Sequence, residues 1–219
     1  MILINFKIYQ ETFGNKAIEL AKIVKEIGNK HKIRTIVTAS ALDAVKIQKE
    51  TGAEVWLQNV DEFNEGKHSG WISAEQAYAL GIKGSLLNHS EHKISRGKLA
   101  KIIKHKPAGF EIMVCVGSIG QIRAWTNKLK PEWILFEPPS LIASEDKSVA
   151  TEEPKMIGEV VKAAGEVPII VGAGVKSQQD VITALKMGAK GVGLASAFVT
   201  SNDPGTLLEE IASGFDDII

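Results

Sequence analysis

Along the chain, short apolar runs rich in β-branched residues alternate with longer segments whose apolar positions recur every three or four residues. The short runs cover residues 2–6, 34–38, 54–57, 84–88, 111–116, 132–136, 168–171 and 191–195. Several are apolar at nearly every position, which predicts parallel strands covered on both faces. The longer segments predict helices. In the first, Ala17, Leu20, Ala21, Val24 and Ile27 fall on one face. Ser40 with Asp43, Ser118 with Gln121, and Ser177 with Asp180 have capping-box spacing. Asp203 before Pro204 reads as an N-cap followed by proline at the first helical position. A helix is predicted near residues 151–165, and Gly52, Gly165, Gly188 and Gly214 stand where helices should stop. Residues 61–70 are polar and read as a loop.

Eight strand–helix units without a linker or a break in composition favour one closed parallel (β/α)8 barrel over residues 1–219. A doubly wound open sheet is the competing architecture. Barrels of this type typically have about 250 residues, so this one is trimmed.

Composition narrows the choice of partners. Lys and Arg together number 26, as do Asp and Glu. The balance gives no support to a nucleic-acid or membrane-surface partner, while a local basic site for a small anion stays open. Cys115 is the lone cysteine, so there is no intramolecular disulfide and no cysteine zinc cluster, and a reducing compartment is expected. The first residues, Met1 to Lys7, lack a basic leader, and no apolar run approaches a membrane span. A soluble, cytoplasmic protein is expected.

Parallel barrels carry their chemistry where the strands end. On strand one, Asn5 and Lys7 share a face with Leu3, while Ile2, Ile4 and Phe6 share the other. If the apolar set packs on helices, Asn5 and Lys7 point into the barrel mouth. Lys7 there is either a cation for an anionic substrate or a side chain snorkelling to solvent. Strand four delivers His89. Residues 90–99 read as the opening of a helix, whose N-terminus disfavours an imidazolium. A neutral imidazole can donate to a carbonyl oxygen, although a purely structural histidine is an equal reading. His89 and His92 also have a metal pair's spacing, but no third ligand lies nearby and no metal is expected.

Strand six delivers Glu137, followed by Pro138 and Pro139, which stop the ladder and stiffen the exit. It is a turn glutamate or, if partly buried, a base with a raised pKa. Residues 140–150 form a long connection of small and charged types, either a lid or a solvated loop. Strands seven and eight end in Gly172-Ala173-Gly174-Val175 and Gly193-Leu194-Ala195-Ser196. These are tight turns, or the phosphate grip that barrels build after those strands. Gly172, Gly174 and Ser177 also form a degenerate dinucleotide fingerprint. Against that reading, Ala195 stands where an acidic ribose ligand is expected, roughly 20 residues on.

Taken in order, Asn5-Phe6-Lys7, Gln58-Asn59-Val60, His89-Ser90-Glu91, Cys115-Val116-Gly117, Phe136-Glu137-Pro138-Pro139, Gly172-Ala173-Gly174-Val175 and Leu194-Ala195-Ser196 span nearly the whole chain. The ordered set resembles the triosephosphate isomerase family, particularly its compact archaeal form. The resemblance implies a TIM barrel that interconverts dihydroxyacetone phosphate and glyceraldehyde 3-phosphate without cofactor or metal. By the same resemblance Glu137 is the base, His89 serves the enediolate oxygens, Lys7 offsets negative charge and Asn5 orients the same oxygens. Ser90 is implied to hold Glu137 in the empty site, and Glu91 to partner Lys7. Backbone N–H groups of Ala143, Gly174, Ala195 and Ser196 are implied to grip the phosphate. Residues 61–71 match the loop that the family inserts into a neighbouring subunit, which implies a homodimer or homotetramer. The chain departs from the family in the lid: where Gly-Thr-Gly is usual, Ile142 is followed by Ala143-Ser144-Glu145-Asp146-Lys147. Two acids there must point outward on closure. Another phosphate-binding barrel, such as an epimerase or lyase, and a barrel impaired by this lid are the alternatives.

Overall fold

A strand covered on both faces must be apolar throughout, and eight such strands in one chain can satisfy all their backbone groups by closing on themselves. The computed structural model, which describes residues 1–139 and 148–216 apart from the side chains of residues 126 and 127, has that form. Strands β1 (Ile2–Asn5), β2 (Thr35–Ala39), β3 (Val55–Leu57), β4 (Gly84–Leu87), β5 (Glu111–Val116), β6 (Trp133–Phe136), β7 (Ile169–Val171) and β8 (Gly191–Leu194) form a closed barrel in sequence order. Every pairing is parallel, and β1 closes on β8 with Leu3 opposite Gly193. The open-sheet alternative is thereby excluded.

Helices α1 (Asn15–Lys30), α2 (Ala44–Thr51), α3 (Ala74–Ala79), α4 (Arg96–His105), α5 (Ile119–Leu129), α6 (Val149–Glu152), α7 (Pro154–Ala164), α8 (Gln178–Lys186), α9 (Ser196–Val199) and α10 (Pro204–Asp216) surround it. Two cores result. Leu3, Ile36, Trp56, Leu86, Met113, Cys115, Leu135 and Ile170 fill the barrel. Ile2, Ile4, Phe6 and the other outward strand residues pack beneath the helices. The alternation expected of strand one therefore holds, and it aims Asn5 and Lys7 at the mouth.

Strand β8 gives the interior little side-chain volume, and its neighbours use the space. A Cβ on Gly193 would lie 3.0 Å from Leu135 Cδ1, and one on Gly191 would lie 2.0 Å from the Met1 carbonyl oxygen.

Some helix ends differ from expectation. Ser177 and Asp180 do form a capping box, and Asp203 accepts the Thr206 N–H at 3.0 Å. Ser118 caps only one way: its hydroxyl accepts the Gln121 N–H, while the Gln121 side chain turns to Gly117 N. At Ser40 it is the backbone carbonyl, not the side chain, that receives Asp43 and Ala44 N–H. The helix expected near 151–165 is broken at Glu153 (φ −137, ψ 55), because Pro154 pushes the residue before it out of the helical region. Gly214 ends nothing. It lies inside α10, where a Cβ would meet the Gln178 carbonyl oxygen and Val181 at 2.8 Å, so it sets the close approach of α10 to α8. Among the described residues no helix is long and apolar enough to cross a membrane.

Candidate active site

Each strand exit that carries chemistry is held by hydrogen bonds to its neighbours. Lys7 and Asn88, one at the end of β1 and the other just after β4, have φ of 50 and 59. Left-handed backbone is uncommon for a non-glycine residue and costs on the order of 1 kcal/mol. At β1 the turn is fixed by Asn5, whose Oδ1 accepts from Lys7 N (3.1 Å), Thr38 Oγ1 (3.1 Å) and Gln58 Nε2 (3.4 Å). Gln58 Nε2 also donates to the Lys7 carbonyl at 3.0 Å. With its oxygen so occupied, the Asn5 NH2 group makes no hydrogen bond among the described residues, and the residue lines the cavity mouth. Lys7 Nζ donates to Glu91 Oε1 at 2.7 Å, the pairing that the resemblance implied.

His89 is buried. Its Nδ1 accepts the Glu91 N–H at 3.3 Å, so the neutral ring carries its proton on Nε2. That Nε2 lies 3.7 Å from Glu137 Oε2. The ring's pKa is lowered, first by burial; Glu91 opposes this, and the Lys7 and Lys93 charges reinforce it. The expected cause was different. No helix opens at residue 90: α4 starts at Arg96, and the intervening chain turns, with His92 N donating to the His89 carbonyl. A single N–H and burial stand in for the helix end.

Glu137 follows β6, its N–H still in the ladder to Val116 O at 2.9 Å. Burial pushes its pKa up to about 7, against the Lys7 and Lys93 charges and a hydrogen bond from the Cys115 thiol. Its Oε2 is buried and without a hydrogen-bond partner among the described residues. Space for the side chain comes from Gly172, where a Cβ would lie 2.9 Å from Glu137 Cγ. Ser90 shares a cleft with Glu137, but among the described residues it makes no hydrogen bond to it; the Cys115 thiol has that place.

Gly174, Ala195 and Ser196 line a small cavity together with Lys7, His89 and Glu137. It continues into a mouth of about 560 Å³ that includes Asn5 and Gln58. Gly174 has φ 72, a turn that suits glycine. Ala143 and residues 140–147 of the expected lid lie outside the described residues. The rest of that segment is anchored: Ser148 Oγ donates to Asp180 Oδ1 at 2.5 Å, and Val149 N to Ala173 O at 3.2 Å. Among the described residues no three His, Cys, Asp or Glu side chains converge on a metal position.

Other residues play parts in the site that the sequence did not assign to them. Thr38 and Gln58 orient Asn5, Asn88 precedes His89, and Cys115 and Gly172 bound Glu137. Asn88 carried a signal, since asparagine tolerates left-handed backbone. Gln58 carried another, a polar residue directly after an apolar strand. The others depend on which strands become neighbours.

A carboxylate poised near neutrality and an imidazole N–H, facing one another beside an ammonium, define the class: a parallel-barrel isomerase that moves a proton next to a carbonyl. Comparison with known proteins narrows it. The sequence model of the family described as "Triosephosphate isomerase" matches residues 1–213. Proteins of that name from Archaeoglobus fulgidus and Metallosphaera sedula are each 35% identical, over 96% and 98% of this chain and 96% and 95% of their own lengths. The one from Methanocaldococcus jannaschii is 34% identical over 96% of this chain and 98% of its own. The chain belongs to the triosephosphate isomerase family, and its isomerase activity is that of the family.

Proposed function

We propose that Glu137, His89, Lys7 and Asn5 perform the interconversion of dihydroxyacetone phosphate and D-glyceraldehyde 3-phosphate. The Glu137 carboxylate removes a proton from the carbon beside the carbonyl. The electron pair left behind forms the carbon–carbon double bond of an enediolate as the carbonyl π electrons move onto oxygen. His89 Nε2–H and the Asn5 NH2 donate to the oxygens, and Lys7 offsets their charge. His89 gives its Nε2 proton to the oxygen of the former carbonyl and takes the hydroxyl proton from the adjacent oxygen, which becomes the new carbonyl as Glu137 returns its proton to the neighbouring carbon. Gly174, Ala195, Ser196 and Ala143 receive the phosphate through backbone N–H groups, and residues 140–150 cover it as a lid. The observation that carries this reading is the 3.7 Å approach of His89 Nε2 to the buried Glu137 Oε2. Two groups so placed can each touch one of two adjacent substrate atoms.

A coupled assay with glyceraldehyde 3-phosphate in EDTA tests it, with activity expected to persist. Glu137→Asp should lower kcat by about 100-fold or more, with a smaller effect on KM, because the shorter carboxylate misplaces the base. Unchanged turnover would remove Glu137 from the mechanism. Lys7→Ala should sharply lower kcat/KM.

We also propose that the protein works as a homodimer or homotetramer in the cytoplasm, with residues 61–71 entering a second copy. Ile8 and Leu42 are 76% and 94% exposed, and Ile8 lines the mouth. In the loop, Phe63 stacks on His68 with ring centroids 4.4 Å apart. Asn59 Oδ1, in a residue lining the same mouth, is buried without a hydrogen-bond partner among the described residues. A solution mass equal to one chain would refute the assembly.

A further inference from the structure

Glu137 has a second approach besides the substrate cavity. Behind it opens a cleft of about 400 Å³ whose wall includes Ser90, Lys93, Cys115 and Glu137. Lys93 stands on the connection between β4 and α4, and its Nζ donates to the Asn88 carbonyl at 3.2 Å. Asn88 is itself fixed. It is 2% exposed, its Nδ2 donates to Cys115 O at 2.8 Å, and its Oδ1 accepts the Ile94 N–H at 3.2 Å. The residue before His89 thus ties β4 to β5, spans the loop that bears His89, and supplies the acceptor on which Lys93 rests.

The two ammoniums near Glu137 differ in their partners. Lys7 is paired with Glu91 at 2.7 Å. Lys93 is held by a neutral carbonyl and makes no ion pair among the described residues. The other groups facing Glu137 leave this charge uncancelled. Glu91 is matched by Lys7, His89 is neutral, and burial keeps the Cys115 thiol protonated. From the β7–α8 connection Lys176 lines the far side of the small cavity. The Lys93 charge favours the ionised carboxylate and the uncharged imidazole together.

We propose that Lys93, seated on the Asn88 carbonyl, is a positioning residue of the isomerisation: a rear-side cation that holds Glu137 in its charged, proton-accepting form. The inference rests on the reading of Glu137 as the base.

The test is the pH profile of kcat/KM at low ionic strength for the wild type, Lys93→Met, Lys93→Arg and Lys93→Glu. Losing a cation near a carboxylate raises the pH needed to ionise it. Lys93→Met should therefore move the acidic limb upward by on the order of half a pH unit. Lys93→Glu should move it further, Lys93→Arg should restore it, and added salt should shrink the displacement. The substrate phosphate titrates equally in all four and cancels in the difference. Should the Met variant fail to fold, Lys93→Gln gives the same neutral arm. A neutral variant whose limb coincides with the wild type overturns the proposal, as does a uniform loss of kcat at every pH, which marks a structural role. Glu137→Gln run in parallel separates the two readings. If it keeps full turnover, the base assignment fails; if it is inactive while the Lys93 variants keep the wild-type limb, only the Lys93 proposal fails.

Discussion

His89 Nε2 and Glu137 Oε2 face each other at 3.7 Å without a hydrogen bond between them. Each is held there by its own surroundings: the ring by the Glu91 N–H, the carboxylate by burial against Gly172 and the Cys115 thiol. The pair's two members sit on exits of different strands, His89 after β4 and Glu137 after β6.

Burial of Glu137 sets a pH dependence of two signs. In its proposed role as the base it must be ionised, so kcat/KM should fall below its pKa of about 7. Two units below that point the loss should approach about 100-fold. Stability runs the other way. The folded-state pKa lies above the ordinary 4.5, so the native state holds more protons than the unfolded chain between these values and gains stability as pH falls. Glu137→Gln should therefore melt higher than the wild type at about pH 8, with the advantage vanishing toward about pH 4.5. Thermal melts of both proteins across that range decide it; a gap independent of pH would mean the carboxylate is not desolvated.

Gly172 and Gly193 can be told apart by what a methyl group would strike. At Gly172 it would lie 2.7 Å from Leu135 Cδ1 and 2.9 Å from Glu137 Cγ. At Gly193 the nearest side-chain atom would be Leu135 Cδ1, at 3.0 Å, and the next nearest atoms are backbone. Both alanine variants should lose about 1–3 kcal/mol through overpacking. Gly172→Ala should in addition lose about tenfold or more in kcat by displacing the base, while Gly193→Ala keeps most of it. Urea melts and steady-state kinetics on the pair make the comparison, and equal kinetic losses would contradict it.

The barrel was legible because its strands are apolar on both faces, a pattern that survives without knowledge of their partners. The inward set Leu3, Asn5 and Lys7 followed from period-two alternation alone. The meeting of Lys7, His89 and Glu137 followed instead from taking the strand ends as one face of the molecule. What lay beyond reach depends on register between strands distant in sequence. That Cys115 abuts Glu137, or that Gly172 clears room for it, follows from the pairing of β5, β6 and β7. The helix expected at residue 90 was a local misreading: Ser95 is the N-cap, and its hydroxyl accepts the Lys98 N–H at 3.1 Å. Gly214 misled because a glycine that stops a helix and one that lets two helices touch look alike in one sequence.

Arg34 closes the barrel floor, opposite the site. Its guanidinium bonds Glu54 at 2.6 and 2.9 Å and Glu111 at 3.2 Å, and lies 5.8 and 5.9 Å from the Trp56 and Trp133 ring centres. Both indole N–H groups donate to the same two carboxylates. Arg34→Met would remove the cation that bridges Glu54 and Glu111, leaving the more distant Lys106 charge near Glu111. A loss of about 1–3 kcal/mol is expected, since partial exposure tempers the full effect of a broken buried pair. Arg34→Lys should recover only part of it, because an ammonium lacks the planar fork. Catalytic constants should not change, as this face of a barrel serves stability. A drop in kcat at unchanged stability would refute that division.

His31 forms a pH-dependent clasp between the first and last long helices. It follows the end of α1, its Nδ1 is 2.8 Å from Asp216 Oδ2, and its Nε2 is 3.0 Å from Glu209 Oε1, both on α10. Lys30 pairs with Glu209 as well. Burial pulls the imidazole pKa down, but the two carboxylates outweigh it and raise the value above the ordinary 6.5. The C-terminal end of α1 adds to the preference for a cation. A raised folded-state pKa stabilises the protein fully below 6.5 and is lost as pH rises through the folded value. His31→Gln should therefore lower Tm clearly near pH ~5.5, where the carboxylates are still ionised, and much less near pH ~9. Melting both proteins in low salt at these two pH values measures the difference, and a Tm gap of equal size at both would show that the ring acts through packing rather than charge.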